Sequence, residues 1–496
     1  MALLSIEVLL TSAYALLLGL LGVYGAHRLA LLRRFRWAPP PPCADPPAEA
    51  GDWPAVTVQL PLYNERTVAA RLIRAVGNLR YPAERLEIQV LDDSTDETRA
   101  IADREVARLR ERGIDACVLR RPGRDGFKAG ALDYGLVRAQ GELVCIFDAD
   151  FTPEADFLEH MVLPFRDPGV GMVQARWGHV NREDSLLTRA QSALLDGHFV
   201  IEHKVRYDSG LFFNFNGTAG LWRRRAIEEA GGWQHDTLTE DLDLSYRAQL
   251  CGWRFVYAPA VVAPAEVPPD ILAFKSQQRR WAKGSVQVAR KLGRQILAAQ
   301  VPLRVKLEAV AHLTGNTGYP LVLGLSVLLP LSMPYHRSIG SLAHLALFTL
   351  CTLSVVLFYD SSQRALGRSG RNRLRDVPAA LSLGIGMCVS QTRAVLEGLL
   401  PGTGVFVRTP KRGDDPGQRR YRSALSGGLP GVELVLAAWF AWALYSAVQL
   451  GLWGTLPFLL LFFSGFAWVG TLSLGSWLRS VSGPSRSAKA AETGGP

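Results

Sequence analysis

"VCIFDADFTP", residues 144–153, sets an unbroken apolar run, Val144 to Phe147, against two carboxylates, Asp148 and Asp150, with only Ala149 between them. The run reads as a short buried strand. Like charges at its end repel one another and resist desolvation, so the pair calls for a positive partner. In an extended backbone Asp148 and Asp150 point to one side and Ala149 to the other. Two carboxylates so placed suit a divalent cation, Mg2+ or Mn2+, that also binds phosphate oxygens. The plainer alternative is a solvated loop with two acids.

Working outward, "VTVQLPL" (56–62), "LEIQVL" (86–91), "ACVL" (116–119), "ELVCIF" (142–147) and "GMVQARW" (171–177) also read as strands. Helical patterns near 66–79, 96–112, 128–139, 153–165 and 184–206 separate them. The alternation predicts an α/β domain, a mostly parallel sheet with helices on both faces. Ligands of such sheets bind beyond the carboxyl ends of the strands, so "YNE", "DDS" and "DAD" are expected to meet at one edge.

In "VLDDSTDET" (90–98) Asp92 and Asp93 end a strand as the opening acids do. Ser94 to Glu97 read as caps for the next helix, while Asp92 and Asp93 can accept hydrogen bonds from a nucleobase and ribose. No G-x-G-x-x-G follows the first strand, which argues against a dinucleotide fold. "GRDGFKAG" (123–130) lacks the Lys-Ser/Thr ending of a P-loop, although Lys128 can face a diphosphate. "LTEDLDLSYRAQLCGW" (238–253) opens a helix with Thr239, Glu240 and Asp241. An N-cap followed by acids that favour the helix dipole accounts for their charge and leaves a catalytic base open. "FKSQQRRWAKGS" (274–285), taken alone, reads as a basic, aromatic helix beside a membrane.

The chain has 496 residues, 48% of them hydrophobic, and a net charge of +10. Its mean hydropathy is +0.09, and the apolar residues crowd into the first 26 positions and those after about 303. Residues 3–25 are long enough to span a bilayer, which takes roughly 20 apolar residues. No basic residue precedes them and His27, Arg28, Arg33, Arg34 and Arg36 follow, so a signal peptide is excluded. The N-terminus is expected outside and the next domain in the cytoplasm. Further apolar segments lie near 309–332, 341–359, 431–452 and 455–476. The segment 377–399, with Gln391, Arg393 and Glu397, reads as an interfacial helix or shallow hairpin. Basic clusters flank the apolar segments, which points to anionic lipid and away from nucleic acid. The six cysteines are scattered and read as reduced packing residues. The expected organisation is a transmembrane helix and basic flank (1–37), a Pro-rich linker (38–51) and a cytoplasmic catalytic domain (52–300). Transmembrane and interfacial helices (301–480) with a basic loop (401–423) follow, then a tail (481–496).

D-D, D-x-D, T-E-D and Q-x-x-R-W, in this order, resemble the processive family 2 glycosyltransferases. "QLPLYNE" (59–65), "QVLDDSTDET" (89–98), "GFKAGAL" (126–132), "FNFNGTAGLWR" (213–223) and "SQQRRW" (276–281) are similar to the cellulose-synthase-like mannan and glucan synthases of plants and their bacterial relatives. The resemblance implies a GT-A fold that binds a nucleotide-diphosphate sugar, GDP-mannose or UDP-glucose. It assigns Asp92 and Asp93 to the nucleotide, with Asn64, Glu65 and Lys128 on the donor side. Asp148 and Asp150 would hold the metal. Asp241, beside Glu240 and Thr239, would be the general base. Gln277 and Arg280 would contact the diphosphate, and Trp281, Asn216, Gly217 and Thr218 would lie near the acceptor.

"VFVRTPKRG" (405–413) resembles a gating loop over the nucleotide, with Phe406, Thr409, Lys411 and Arg412, and Pro410 departs from that pattern. No PilZ-like segment follows the last apolar stretch, so regulation by a cyclic dinucleotide is not expected. The activity the resemblance implies is inverting transfer, at a bilayer, to a growing β-linked polysaccharide, a β-1,4-mannan, glucomannan or glucan, with coupled export. Asn316, Thr317, Tyr319, Trp439, Trp442 and Tyr445 are the candidates for lining an export path. Transfer of one sugar to a lipid, and a non-enzymatic transporter, stay open as alternatives.

Overall fold

The computed structural model describes residues 2–36, 53–335, 341–402, 413 and 431–481. The first helix, α1 (Ala2–Arg34), leads to strand β1 (Val56–Leu62). Then follow α2 (Ala69–Val76), β2 (Leu86–Asp92), α3 (Thr98–Glu111), β3 (Asp115–Leu119), α4 (Phe127–Leu136), β4 (Leu143–Ile146), α5 (Phe157–Met161) and β5 (Val170–His179). Next come α6 (Leu186–Asp196), which runs through a π-helical turn (Gly197–His203) into α7 (Lys204–Asp208), then β6 (Gly220–Arg223), α8 (Arg224–Glu229), α9 (Glu240–Leu250) and β7 (Arg254–Ala265). The long α10 (Ile271–Ala298) hands the chain to α11 (Leu303–Thr314), α12 (Gly318–Ser332), α13 (Ser341–Ala365), α14 (Gly370–Gly386), α15 (Cys388–Leu399), α16 (Gly431–Gln449) and α17 (Leu456–Val481).

The strands form one sheet in the order β3-β2-β1-β4-β6-β5-β7. β1, β2, β3 and β4 are mutually parallel, and β6 lies antiparallel between β4 and β5. β7 runs parallel to β5 at the edge. This polarity brings the ends of β1, β2, β4, β5 and β7, and the start of β6, to one side. Alternation divides the faces. Val56, Val58, Leu60 and Leu62 of β1 enter the core beneath α2 and α3. Val144 and Ile146 of β4 enter the opposite core with Met172, Phe215 and Trp222.

Two expected elements differ. The span 184–206 holds two α-helices with a π turn between them. Ser94 does not cap α3: its Oγ accepts from Asn64 N at 2.9 Å, and Glu97, the N-cap residue, makes no side-chain cap bond. Asp96 does act at that terminus, accepting from Thr98 N at 2.9 Å.

Among the described residues five helices are long and apolar enough to cross a membrane: Ile6–Arg34, Leu303–Tyr335, Leu345–Ala365, Gly431–Gln449 and Trp453–Arg479. Helices α14 and α15 are bent by 50° at their junction, as a broken span or a re-entrant loop. The sheet domain is fastened to these helices through α10. Lys275 Nζ donates to Glu433 Oε1 of α16 at 2.6 Å and to Ser473 Oγ of α17 at 2.8 Å. Arg279 Nη2 grips both oxygens of Glu397 on α15 at 2.8 and 2.6 Å.

Candidate active site

Beyond the shared strand edge lies a cavity of about 170 Å³. Its walls come from the residues after β1 (Glu65), after β2 (Asp93), after β4 (Asp148, Asp150) and before β6 (Asn216, Gly217). The start of α9 adds Thr239, Glu240 and Asp241, and α10 adds Gln277, Arg280 and Trp281. Most of the residues singled out from the sequence therefore meet in one space. Gln277, Arg280 and Trp281 sit at helical spacing on the cavity side of α10, while Lys275 and Arg279 occupy its other side against the membrane helices. The residues of the interfacial reading and those of the catalytic reading thus lie on different faces of the helix.

Asp241 Oδ1 accepts from Leu242 N at 2.8 Å. Its carboxyl lines the cavity, and burial together with the neighbouring Glu240 carboxylate pushes its pKa up to about 7, against the opposing pull of Lys128 and Arg280. A carboxylate so raised can hold and release a proton near neutrality. Two glycines permit the approach of its surroundings. Gly217 has a φ of +79°, and a Cβ there would lie 2.9 Å from Asp241 Oδ2. A Cβ on Gly284 of α10 would lie 2.5 Å from the Thr239 side chain, so α10 can press against the start of α9. Thr239 Oγ1 is buried and has no hydrogen-bond partner among the described residues.

Lys128, the positive partner that the opening acids demanded, donates to Asp148 Oδ1 at 2.5 Å and to the Gly217 carbonyl at 2.8 Å. Burial alone would lower its pKa, but Asp148, Glu240 and Asp241 outweigh that and raise it, so Lys128 stays charged. Thr218 does not reach the cavity; its hydroxyl accepts from Asp148 N at 2.8 Å and fixes the D-x-D backbone.

The two acids at the end of β2 part company. Asp93 lines the cavity and is held bidentately by Arg121 at 2.9 and 2.6 Å. Asp92 is buried behind the wall, accepting from Arg120 Nε at 2.9 Å and Ser94 N at 3.0 Å. Asn64, at a φ of +56°, ties the end of β1 to the loop after β2 by accepting from Thr95 N at 2.8 Å. Phe406, Thr409, Lys411 and Arg412 lie outside the described residues.

The donor set fits a divalent cation. Asp148 and Asp150 present hard carboxylate oxygens to the same cavity. Among the described residues no group of three or more His, Cys, Asp or Glu could hold a metal, so the remaining positions would fall to substrate oxygens and water. Charge argues the same way. Among the described residues the wall carries seven carboxylates against the cations Arg124, Lys128 and Arg280. A diphosphate entering such a wall needs added positive charge.

One group of cavity residues escaped the sequence reading. His198 and Glu202, with Arg206, stand at i, i+4 and i+8, a spacing that marks one helical face. They fall in the π turn and the start of α7. Neutral His203, its pKa driven far down chiefly by burial, donates through Nε2 to Asn216 Oδ1 at 2.7 Å. Asn216 Nδ2 donates to His198 Nε2 at 3.0 Å, and His198 Nδ1 to Glu202 Oε2 at 2.9 Å. Arg206 joins Glu202 to Glu308 of α11, and Glu308 meets His27 of α1 at 2.9 Å. The tautomers here follow from the partners. Trp177, at the end of β5, was read as a strand residue; it faces Trp281 across the cavity, ring centroids 6.5 Å apart.

A second cavity of about 530 Å³ opens from the first. The two share Trp177, Leu195, Asn216, Thr239, Asp241 and Trp281. Of the residues expected along an export path only Asn316 and Tyr319 are in its wall. Trp442 and Tyr445 are 48% and 66% exposed, and Trp439 stacks on Trp442, so these α16 aromatics face elsewhere.

The model of glycosyltransferase-like family 2 matches residues 54–284. Glucomannan 4-beta-mannosyltransferase 2 of Arabidopsis thaliana is 42% identical over 298 residues, 57% of this chain and 56% of that protein. Glucomannan 4-beta-mannosyltransferase 1 of Cyamopsis tetragonoloba is 42% identical over 265 residues, 52% of this chain and 50% of that protein. The chain thus spans about half the length of the curated relatives it matches. Among solved structures, the mannosyltransferase PcManGT from Pyrobaculum calidifontis, in complex with GDP-Man and Mn2+, is similar at a TM-score of 0.49 and 24% identity, covering 79% of this chain and 98% of that one. Residues 54–284, which contain the whole sheet, are thus similar to the glycosyltransferase-like family 2.

Proposed function

We propose that the chain is a membrane-bound inverting glycosyltransferase that adds sugars from a nucleotide-diphosphate sugar to a β-linked glycan of the mannan, glucomannan or glucan type. The observation that carries this reading is the Asp241 carboxylate, raised to about 7 and set at the junction of the two cavities. The names of its relatives favour mannose, and GDP-mannose is the first donor to test, with UDP-glucose second.

In this reading the donor lies along the strand edge. Asp93 and Arg121 border the nucleotide, with Asn64 and Asp92 shaping that loop from behind, and Glu65 beside it. Lys128, Gln277 and Arg280 take the diphosphate, a guanidinium being well suited to it. A divalent cation on Asp148 and Asp150 would neutralise charge on the departing diphosphate. Trp281 and Trp177 offer flat surfaces to the acceptor sugar. Asn216, held by His203 and His198, presents a fixed amide, and Gly217 leaves room at the base. Asp241 takes the proton of the acceptor hydroxyl as that oxygen bonds the anomeric carbon. The bond from carbon to the diphosphate breaks, its electron pair leaving with the nucleoside diphosphate. One displacement converts an α-linked donor to a β-linkage.

The sheet domain belongs on the cytoplasmic side, with the N-terminus outside, because Arg28, Arg33, Arg34 and Arg36 follow the first apolar helix and Arg364–Arg375 is basic. Purified protein in nanodiscs with Mg2+ or Mn2+ and labelled GDP-mannose or UDP-glucose tests the reading. Label released from the product by endo-β-mannanase identifies a mannan or glucomannan; release by endo-β-1,4-glucanase alone identifies a glucan. No incorporation from either donor refutes it.

A further inference from the structure

Helix α9, which carries Asp241, begins without the usual local fastening: its N-cap residue, Thr239, makes no side-chain cap bond. A helix start left so is held by whatever packs on it. Here α10 does the holding. Gly284, Gln287 and Lys291 stand at i, i+3 and i+7, one stripe of that helix. Gly284 leaves room for Thr239. Lys291 Nζ donates to Gln234 Oε1 at 2.6 Å and Asp236 Oδ1 at 2.7 Å, in the segment before α9, and lies 2.9 Å from Asp243 Oδ1 on α9 itself. Between them Gln287 Oε1 accepts from Leu238 N at 2.9 Å. Leu238 is in the donor cavity wall, three residues before Asp241.

A second stripe of α10, Lys283, Val286 and Arg290, faces α15. A Cβ on Gly398 of α15 would lie 2.9 Å from the Lys283 carbonyl oxygen and from Val286 Cβ, so the two helices meet closely. Arg290 Nη1 donates to the Gly398 carbonyl at 3.1 Å and to that of Leu400 at 2.9 Å. Carbonyls at a helix C-terminus have no partner within the helix, and a guanidinium suits them. Gln287 reaches across to this side: its Nε2 donates to the Gly402 carbonyl at 3.0 Å. One buried amide thus ties the backbone ahead of Asp241 to the backbone beyond the bent pair α14–α15. Gln287 itself is in neither cavity wall.

We infer that Gln287 is a positioning residue for Asp241, its side-chain amide fixing the segment before the base against the end of α15. The inference rests on the glycosyl-transfer reading and adds to it a residue that touches no substrate. An amide needed only to satisfy two backbone groups would affect stability and nothing else. A positioning amide also sets how closely the start of α9 closes on the cavity, and so how well Asp241 is shielded from water. Burial is the first cause of the raised Asp241 carboxyl. The charged groups around that carboxyl are Glu240 on its own helix, Lys128 of α4 and Arg280 of α10, and Lys128 is in turn bound to Asp148. A substitution at 287 changes none of them, so a shift in the Asp241 titration reports its placement.

The test uses the full chain in nanodiscs with Mn2+ and labelled GDP-mannose or UDP-glucose. Gln287→Met keeps the length of the side chain and loses these two hydrogen bonds. The expected kcat is roughly ten- to hundred-fold lower, the cost of a catalytic group misplaced by about an ångström, with donor KM within about two-fold of wild type. The acid limb of the rate, near pH 7 in wild type, moves about half a pH unit lower or more as water reaches Asp241. Gln287→Glu keeps an oxygen for Leu238 N and should return the limb to 7 or above. Arg290→Met releases Gly398 and Leu400 alone and should leave the limb in place. Gln287→Asn, one carbon too short to reach both backbone groups, serves if Gln287→Met does not fold. A limb that stays at 7 in the Met or Asn variant, or that moves equally in Arg290→Met, overturns the inference, as does a loss confined to donor KM. Thermal unfolding gives a readout that needs no transfer: the gain from Asp241→Asn at pH 8 should shrink by about half or more in the Gln287→Met background. A gain of full size there overturns the positioning role. A shrunken gain in a protein that transfers from neither donor upholds the placement of Asp241 and overturns the transfer reading.

Discussion

Replacing Asp241 by Asn should stop transfer and make the protein more stable, and the stability gain should depend on pH. A carboxyl moved from its ordinary 3.8 to about 7 binds its proton some three decades more tightly in the folded chain. At 1.36 kcal/mol per decade that is about 4 kcal/mol, and water in the cavity reduces it to about 2–4 kcal/mol. The sign follows from proton binding. Between pH 4 and 7 the folded chain holds the proton and the unfolded chain has released it, so this side chain's contribution to stability is full below pH 4 and is lost as pH rises through 7. Asn carries no such term. Asp241→Asn and wild type should therefore unfold at nearly the same temperature at pH 4. By pH 8 the variant should lead by several degrees, at roughly 2–4 °C per kcal/mol for a domain of this size. Transfer should fall by about 10²–10⁴, the usual worth of a general base, while donor binding persists. The wild-type rate should fall as pH drops below about 7, with unit slope. A thermal gap that does not widen with pH would refute the raised carboxyl, and transfer surviving in the Asn variant would refute the base.

Asp148→Asn and Asp150→Asn should each weaken the response to Mn2+ and Mg2+, read as a rightward shift in metal titrations after EDTA treatment; wild-type activity in EDTA alone would refute the metal assignment. Glu202 is half-buried, which works against its charge, yet Arg206 and His198 hold its pKa far below the ordinary carboxyl value. Glu202→Gln should loosen His198 and Asn216, raising the acceptor KM several-fold with donor affinity unchanged; a change in donor affinity alone would place this network on the wrong substrate.

What the sequence revealed depended on whether a residue's neighbours in the chain were also its neighbours in space. β1, β2 and β4 are buried on both faces and mainly apolar, and acids lie at or within three residues of their ends, so strand ends and candidate site residues appear together. β6 is four residues long and antiparallel, too short for periodicity to show. β7 contains Pro259 and Pro264, which argue against a strand, but its place at the sheet edge and its shifted register against β5 tolerate them. His198 and Trp177 were hidden for another reason. One sits within an apparently regular helix, the other at the end of an apolar strand, and only the closing of α10 across the site brings Trp177 to Trp281. The α16 aromatics show the converse error: Trp439 and Trp442 suggested a lining, but composition does not say which face of a helix meets a cavity.

The acids that looked misplaced after an apolar strand now have a consistent electrostatic account. Lys128 reaches Asp148 and Gly217 and lies close enough to Asp241 and Glu240 to feel their charges. It pulls the Asp241 pKa down while Glu240 pushes it up. An incoming diphosphate would compete for Lys128 and raise Asp241 further, and a cation on Asp148 and Asp150 would oppose that rise. In the proposed reading, the proton affinity of Asp241 is thereby coupled to occupancy of the donor side, through one lysine. A carboxyl at its ordinary pKa would be a weak base towards a sugar hydroxyl; burial first, and the Glu240 carboxylate second, bring Asp241 close to neutrality.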